Sequence, residues 1–348
     1  MSRTNIMSRT PLRLSMGGGG TDVESYYAAR GSGAWLSGTI NKFVQVTVLV
    51  NNLGGYIVKH GKKVEIVGRS GEIVHPLYRE ALGFMRMDEW THRVYSSPGL
   101  EINAFSDAPT HSGLGVSGAI TVGLLQILHW LRDSSIPPPQ KIAEEAYHVE
   151  HDLAKSLNTG WQDQMIAAHG GIVSFEVKKG EKPTYQRLEL DRHTLAELES
   201  NLILFGTKLE REQTANEALG EVHKKVKSAS GKSNLDYLDE ILEIGKRQKL
   251  ALLNGEVREF GRLLHKHWEV KTRYAGPPDP IIAQAYEEAI DIGALGGKVI
   301  GASSKGAFMV FYCPYTEKGN LRRTMSKLGM VEIPWAFEFY GSQIVYND

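Results

Sequence analysis

The sequence predicts an α+β chain of two domains, with largely antiparallel or mixed sheets and flanking helices. Three observations carry this. Strand-like and helix-like segments are intermingled through both halves of the 348 residues, without the regular β-α-β alternation of a doubly wound sheet. Phe43–Val50 sets Val44, Val46, Val48 and Val50 against Phe43, Gln45, Thr47 and Leu49, the period-two pattern of a strand. A charged, turn-rich stretch at 178–184 separates two halves, each long enough for its own core, and places the domains at 7–180 and 181–348.

The elements follow in order. Met1-Ser-Arg-Thr recurs as Met7-Ser-Arg-Thr and reads as an extension, so residues 1–6 are set outside the expected fold. After the strand at 43–50 come strand-like pieces such as Lys63–Val67 and a short helix near Pro76–Met85. Leu100–Phe105 reads as a strand. A small-residue loop at 109–119 leads from it into an apolar helical run, Ile120–Leu131. A Ser- and Pro-rich break at 134–139 precedes a helix over Gln140–Lys155, with Ile142, Ala146, Val149 and Leu153 on one face. Another helix opens at Gly160–Met165 and ends at Gly170-Gly171, and Ile172–Val177 is a strand. The second half gives a strand at Asn201–Thr207 and helices near 212–227, 235–253, 256–273 and 280–293. Strands at Lys298–Ala302 and Ala307–Cys313, a helix near Glu317–Leu328 and a last strand complete it.

Composition narrows the function. Forty acidic residues balance forty basic ones, so the chain lacks the basic footprint of a nucleic-acid binder, and a charged substrate must be handled locally. Cys313 is the only cysteine; it permits no internal disulfide or cysteine-based zinc cluster and suits a small core position. No membrane span or signal peptide is discernible, so a cytoplasmic location is the expectation. Small molecules are the expected partners, with a homodimer left open.

Four clusters carry chemistry. In the 109–119 loop, glycines let N–H groups converge on an anion at a helix N-terminus, a phosphate cradle that lacks the Gly-Lys-Ser/Thr of a Walker A loop. The bland alternative is a glycine-rich helix entry. In Arg9–Asp22, four glycines, Gly17 to Gly20, precede Thr21 and Asp22. Asp22 suits two vicinal sugar hydroxyls, or else caps a helix over Val23–Arg30. Glu150 sits late in its helix among acids and alone reads as solvated. Asp163, between Gln162 and Gln164, could accept a substrate proton or simply favour its helix dipole.

In this order and spacing the clusters resemble the GHMP kinases, from Arg9 to Phe311. Ser112-Gly-Leu-Gly-Val-Ser117-Gly-Ala is similar to the family's phosphate loop, and Gly296–Phe308 to its C-terminal glycine-rich motif. Arg-Thr-Pro-Leu-Arg, Gly-Gly-Gly-Thr-Asp, Trp-Gln-Asp-Gln and Leu263–Lys271 further resemble its branch of heptose 7-phosphate kinases and fucokinases. The resemblance implies the two-domain GHMP kinase fold, with ATP and Mg2+ as cofactors. It implies transfer of the γ-phosphoryl group to the anomeric hydroxyl of a heptose 7-phosphate, giving the 1,7-bisphosphate on a route to GDP-heptose and surface polysaccharide. Another sugar 1-kinase, or a non-catalytic sensor on the same fold, is the alternative.

By the same resemblance Asp163 and Arg13 would be catalytic. Ser112, Gly113, Leu114, Gly115, Val116, Ser117 and Gly118 would wrap the ATP phosphates, and Ser117 with Glu150 would hold magnesium. Arg13, Gly18, Gly19, Gly20, Thr21, Asp22 and Asp163 would face the sugar, and Arg211 and Lys271 are candidates for the substrate's own phosphate. The chain departs from the family at Val116, at Trp161 and at Ser303, Ser304 and Lys305, where Lys305 is a further phosphate candidate.

Overall fold

A computed structural model describes residues 5–51, 54–94, 99–109, 112–207 and 233–348. In chain order the first part comprises β1 (Asn5–Gly17), α1 (Glu24–Arg30), β2 (Ser32–Asn51), β3 (Gly55–His60), β4 (Lys63–Val67), α2 (Pro76–Phe84), α3 (Met87–Val94) and β5 (Gly99–Ser106). Next come α4 (Val116–Asp133), α5 (Pro139–Tyr147), α6 (Gln162–His169), β6 (Ile172–Lys178) and β7 (Thr184–Arg187). The second part comprises α7 (Arg192–Asn201), β8 (Leu202–Gly206), α8 (Asn234–Leu253), α9 (Val257–Ala275), α10 (Pro280–Ile292), β9 (Gly296–Val299), β10 (Phe308–Tyr312), α11 (Lys318–Lys327), β11 (Val331–Ile333) and β12 (Gln343–Asn347).

Two sheets organise these elements. The larger has eight strands in the order β12-β1-β2-β5-β3-β4, with β6 paired to β2 and β7 to β6. The β3–β5 pairing is parallel and the others are antiparallel. β2 is the spine: β1 runs along it, while β6 pairs with its first half and β5 with its second. Its alternating valines point inward, Val44, Val46 and Val48 being fully buried, and each such side chain contributes roughly 1.5–3 kcal/mol of hydrophobic stabilisation. Helix α4 lies on this sheet. A Cβ at Gly123 would come within 2.7 Å of Ser8 Oγ and Thr10 Oγ1, so glycine lets the helix approach β1.

The smaller sheet is antiparallel, in the order β11-β8-β10-β9. Ile203, Phe205, Met309, Phe311 and Cys313 build a second core with Ile282, Ala285 and Ala289 of α10 and Leu321 and Met325 of α11. Cys313 is a small buried member of it, as its surroundings in the sequence imply. No helix among the described residues is long and apolar enough to cross a membrane.

Several expectations need correction. Residues 5 and 6 are not an extension: Ile6 is fully buried in β1, opposite Val48. The first sheet does not stop at 180. β7 is its edge beyond β6, and β12 returns from residues 343–347 to pair with β1, satisfying the backbone N–H and C=O groups along that edge. The expected helix at 140–155 changes winding: α5 passes into a π-helical turn over His148–Leu153. The strand expected at Lys298–Ala302 occupies 296–299 instead, and its chain turns away after Ile300, whose N–H still donates to the Phe308 carbonyl of β10 at 2.9 Å. The helix expected at 212–227 lies outside the described residues, as does Arg211.

Candidate active site

The phosphate-loop candidate is held open by two glycines. Gly113 and Gly115 have φ of 82° and 80°, a region that L side chains rarely adopt. β1 straps the loop from below: the Arg13 N–H donates to the Leu114 carbonyl at 3.0 Å, and the guanidinium NH1 donates to the Gly113 carbonyl. From above, a Cβ at Gly113 would lie 2.5 Å from the Ile300 carbonyl of the second part. The loop ends in α4, whose first residues, Val116 and Ser117, line a cavity with Ser112, Gly113 and Gly115. Leu114 is turned into the core, and Gly118 faces α6 rather than the cavity. They shape the cradle from behind.

Asp163 stands in the first turn of α6, beside this loop. Arg13 grips its Oδ1 through Nε at 2.8 Å and NH2 at 2.5 Å. A charge-assisted pair of this kind fixes the carboxylate in one orientation. The approach of α4 to α6 is close because residue 118 is glycine: a Cβ there would sit 2.8 Å from the Asp163 Cβ.

Asp22 joins the glycine loop to the same helix. Its carboxylate accepts from the Gly20 N–H at 2.9 Å and the Gln162 N–H at 3.1 Å. Gly160 leaves room for it, since a Cβ there would fall 2.0 Å from Oδ2. Asp22 therefore does not cap α1, whose N-cap is Val23. Burial pushes its carboxyl above the ordinary range, against the two backbone N–H groups that lower it. Gly19, Gly20 and Asp22 line the cavity, whereas Gly18 and Thr21 lie behind its wall. Thr21 is fully buried with its hydroxyl donating to the Gly18 and Ala34 carbonyls, so it staples the loop and offers nothing to a sugar.

Glu150 is carried inward by the π-helical turn. It is 3% exposed, and its Oε1 has no hydrogen-bond partner. Burial pushes its carboxyl up to about 7; the neighbouring side chains of Gln164, Thr121 and Ser117 lower it, and the Asp163 charge adds to the rise. Glu150 and Ser117 line the same cavity. An orphaned carboxylate oxygen and a hydroxyl suit a hard cation such as Mg2+, which takes one or two protein oxygens beside substrate phosphates. Among the described residues no group of three or more His, Cys, Asp or Glu could hold a metal ion. The donor set fits a phosphate-borne ion rather than a protein cage.

These parts meet around one cavity of about 940 Å³. The β3–β4 turn, the start of α2 and the end of β5 also line it, bringing His60, His75, Tyr78 and Phe105. His60 and His75 meet edge to face with ring centroids 4.5 Å apart, and Tyr78 joins them. From the second part come His267, Lys271 and Tyr274 of α9 and Lys298 of β9. Lys271 is buried, its ammonium donating to the Val299 carbonyl at 2.8 Å and the Gly301 carbonyl at 2.5 Å, so it braces the C-terminal glycine-rich turn. Lys305 is exposed and not part of the wall, and Ser304 is buried with its hydroxyl donating to the Pro277 carbonyl at 3.4 Å. Trp161 stacks on Tyr147, ring centroids 3.6 Å apart, and fills core rather than the site.

His267, Tyr274 and Lys298 are absent from the site residues read from sequence. A signal for two of them was present. Phe260, Leu264, His267, Lys271 and Tyr274 recur at helical spacing on the buried face of α9, so polar groups stand where an amphipathic helix should be apolar.

Residues 77–171 match the GHMP kinases N terminal domain and residues 249–329 the GHMP kinases C terminal domain. The chain belongs to the GHMP kinases. It is 28% identical to D-glycero-alpha-D-manno-heptose 7-phosphate kinase of Campylobacter jejuni, over 92% of this chain and 93% of the relative. Among solved structures it is similar to a D-glycero-D-manno-heptose 1-phosphate kinase from Bacteroides thetaiotaomicron. That match has a TM-score of 0.77 and 26% identity, covering 98% of this chain and 99% of the other. The mevalonate kinase of Methanococcus jannaschii shares the fold, with a TM-score of 0.71 and 17% identity over 95% of this chain and 98% of that one. This membership, together with the heptose kinase relatives, makes the chain an ATP-dependent sugar kinase.

Proposed function

We propose that this kinase transfers the γ-phosphoryl group of ATP to the anomeric hydroxyl of D-glycero-D-manno-heptose 7-phosphate. The product would be the 1,7-bisphosphate, which a nucleotidyl-transfer route converts to GDP-heptose for surface polysaccharide. The observation that carries the reading is the position of Asp163: its carboxylate is gripped by Arg13 between the glycine loop and the wall made by Gly19, Gly20 and Asp22. An acceptor hydroxyl held by that wall meets a carboxylate on one side and a phosphate cradle on the other.

The chemistry follows from these residues. N–H groups of the 113–118 turn and the N-terminus of α4 offset charge on the β- and γ-phosphates. Arg13 keeps Oδ1 of Asp163 occupied, which leaves the other oxygen to orient the acceptor hydroxyl and take its proton as the new O–P bond forms. Magnesium held by Glu150 and Ser117 would neutralise phosphate charge. The aromatic group of His60, His75 and Tyr78 supplies a flat-sided pocket suited to the adenine base.

The two heptose kinases named above agree on a heptose phosphate and differ in which end carries the phosphate. The deciding experiment therefore offers ATP with heptose 7-phosphate, heptose 1-phosphate, heptose, fucose and mannose in turn. ADP release is followed, and the product is read by phosphorus NMR. The expected result is turnover with the 7-phosphate and a new anomeric phosphate signal. Turnover confined to a free sugar, or to the 1-phosphate, overturns the proposal.

A further inference from the structure

Among the described residues, Lys298 is a buried charge that the site as built does not explain. It lies in β9, is 2% exposed and lines the cavity. The hydrogen bond recorded for its ammonium is long, 3.4 Å to the Met16 carbonyl, beyond the usual range for N–H···O. No carboxylate among the described residues pairs with it. A buried ammonium so poorly satisfied costs free energy unless an anion joins it. His267 is 3% exposed, lines the same wall, and leaves its Nδ1 without a partner. Lys271, one turn further along α9, adds a second positive charge to the wall.

Lys298 itself meets β1 away from the strap on the phosphate loop, while Lys271, bonded to the Val299 and Gly301 carbonyls beside Gly113, lies nearer that loop. Along β1 the loop is strapped at Arg13, while Lys298 reaches Met16, three residues on. A strand rises about 3.3 Å per residue, which puts roughly 10 Å between the two points. Met16 leads directly into Gly17–Asp22, the acceptor wall. The glycine loop already serves one set of phosphates, so Lys298 faces a second.

We propose that Lys298, with His267 and Lys271 around it, is a subsite for the phosphoryl group already carried by the acceptor, and that it selects a phosphorylated sugar over a free one. This rests on the heptose-phosphate reading for its substrate and on the buried cations for its existence. Burial and the nearby Arg13 charge push the Lys298 ammonium down to about 7, and burial with the charges of Lys298 and Lys271 pushes His267 well down as well. An arriving phosphate dianion reverses both effects and holds the cations charged.

Lys298→Met keeps an unbranched side chain, one atom shorter, and removes its charge. With heptose 7-phosphate its acceptor KM should rise roughly 10- to 100-fold, as loss of a charge-assisted contact predicts. The ratio of kcat/KM for phosphorylated to free heptose should collapse by the same factor, with KM for ATP little changed. Lys298→Arg should recover part of the ratio. A Lys298→Met enzyme whose kcat falls equally on both acceptors, or whose KM for ATP rises instead, assigns Lys298 to the transferred phosphate and overturns the proposal.

A binding arm stands apart from turnover. With saturating Mg-ADP present, inorganic phosphate should raise the Tm of the wild type and not that of Lys298→Met or His267→Gln. Equal shifts in all three overturn the subsite. If heptose 7-phosphate is not a substrate while the phosphate shift still depends on Lys298, the functional reading fails and the anion site survives. Ligand-free Lys298→Met should melt at or above the wild type, because an unpaired buried charge has gone.

Discussion

Gly118→Ala tests whether the spacing between two helices sets the rate of transfer. The added Cβ would stand 2.8 Å from the Asp163 Cβ and 3.1 Å from both the Asp163 carbonyl carbon and the Gln164 backbone nitrogen. Backbone atoms cannot swing aside as a flexible side chain does. Ordinary contact begins near 3.4 Å, so α4 and α6 must part by 3.4 less 2.8, about 0.6 Å. That displacement falls on the residue gripped by Arg13. A misplacement of about 1 Å costs on the order of a hundredfold in rate, so roughly a ten- to hundredfold fall in kcat is expected. Stability should respond less. Overpacking costs about 1–3 kcal/mol, and alanine recovers about 1 kcal/mol over glycine within a helix. The net is a Tm lowered by a few degrees. A coupled ADP assay gives kcat and both KM values, calorimetric titration gives Kd for ATP, and a thermal melt gives Tm. A kcat within twofold of the wild type beside a clear fall in Tm would refute the reasoning, because the strain would then have been absorbed away from Asp163.

Other outcomes follow from the same geometry. Asp163→Ala should abolish transfer while calorimetry still detects ATP; turnover near the wild-type rate removes Asp163 from the proton-accepting role. Asp22→Ala should raise the acceptor KM far more than the KM for ATP, and should also lower Tm, since the Gly20 and Gln162 N–H groups lose their acceptor. Burial, together with the nearby His60, pushes His75 down to about 4 from an ordinary 6.5, although Glu65 opposes this. Below pH 6.5 the unfolded chain takes up that proton and the folded chain does not until about pH 4, so stability is lost progressively across this window as pH falls. Denaturant titrations at several pH values should show a flatter acid slope for His75→Gln; an unchanged slope places the proton uptake elsewhere.

The parts of the site that sequence discloses are those with local causes. A glycine loop entering a helix, or valines alternating along a strand, owe their form to neighbours within a few residues, and the 109–119 loop and the strand at 43–50 read accordingly. β1 was harder. Four glycines after Met16 suggest a loop, yet the strand runs to Gly17 because β2 pairs with it almost to the end. Glu150 was harder still. Helical periodicity places it among solvated acids, whereas the π-helical turn shifts the face it presents and buries it at 3% exposure. A one-residue change in winding leaves no mark in an apolar pattern, so only the family resemblance singles that residue out.

Lys298 and His267 show a different limit. Their chemistry depends on contacts across the chain: Lys298 and Met16 are 282 residues apart, and Arg13 and Asp163 are 150 apart. No window of sequence contains either pair. What a window does contain is the mismatch between residue type and face, since a helix that buries His267 and Lys271 beside Leu264 and Trp268 breaks its own pattern. Lys271 is satisfied by the Val299 and Gly301 carbonyls, but burying Lys298 costs folding free energy, since its recorded hydrogen bond is long and no carboxylate among the described residues pairs with it. A ligand that enters carrying the opposite charge removes the cost, so an unpartnered cation on a cavity wall is a statement about what the cavity binds. By that argument the second part of the chain does more than cover the phosphate loop: where the first part's Arg13 is already paired with Asp163, it adds the buried cation Lys298 to a cavity that Asp22, Glu150 and Asp163 also line.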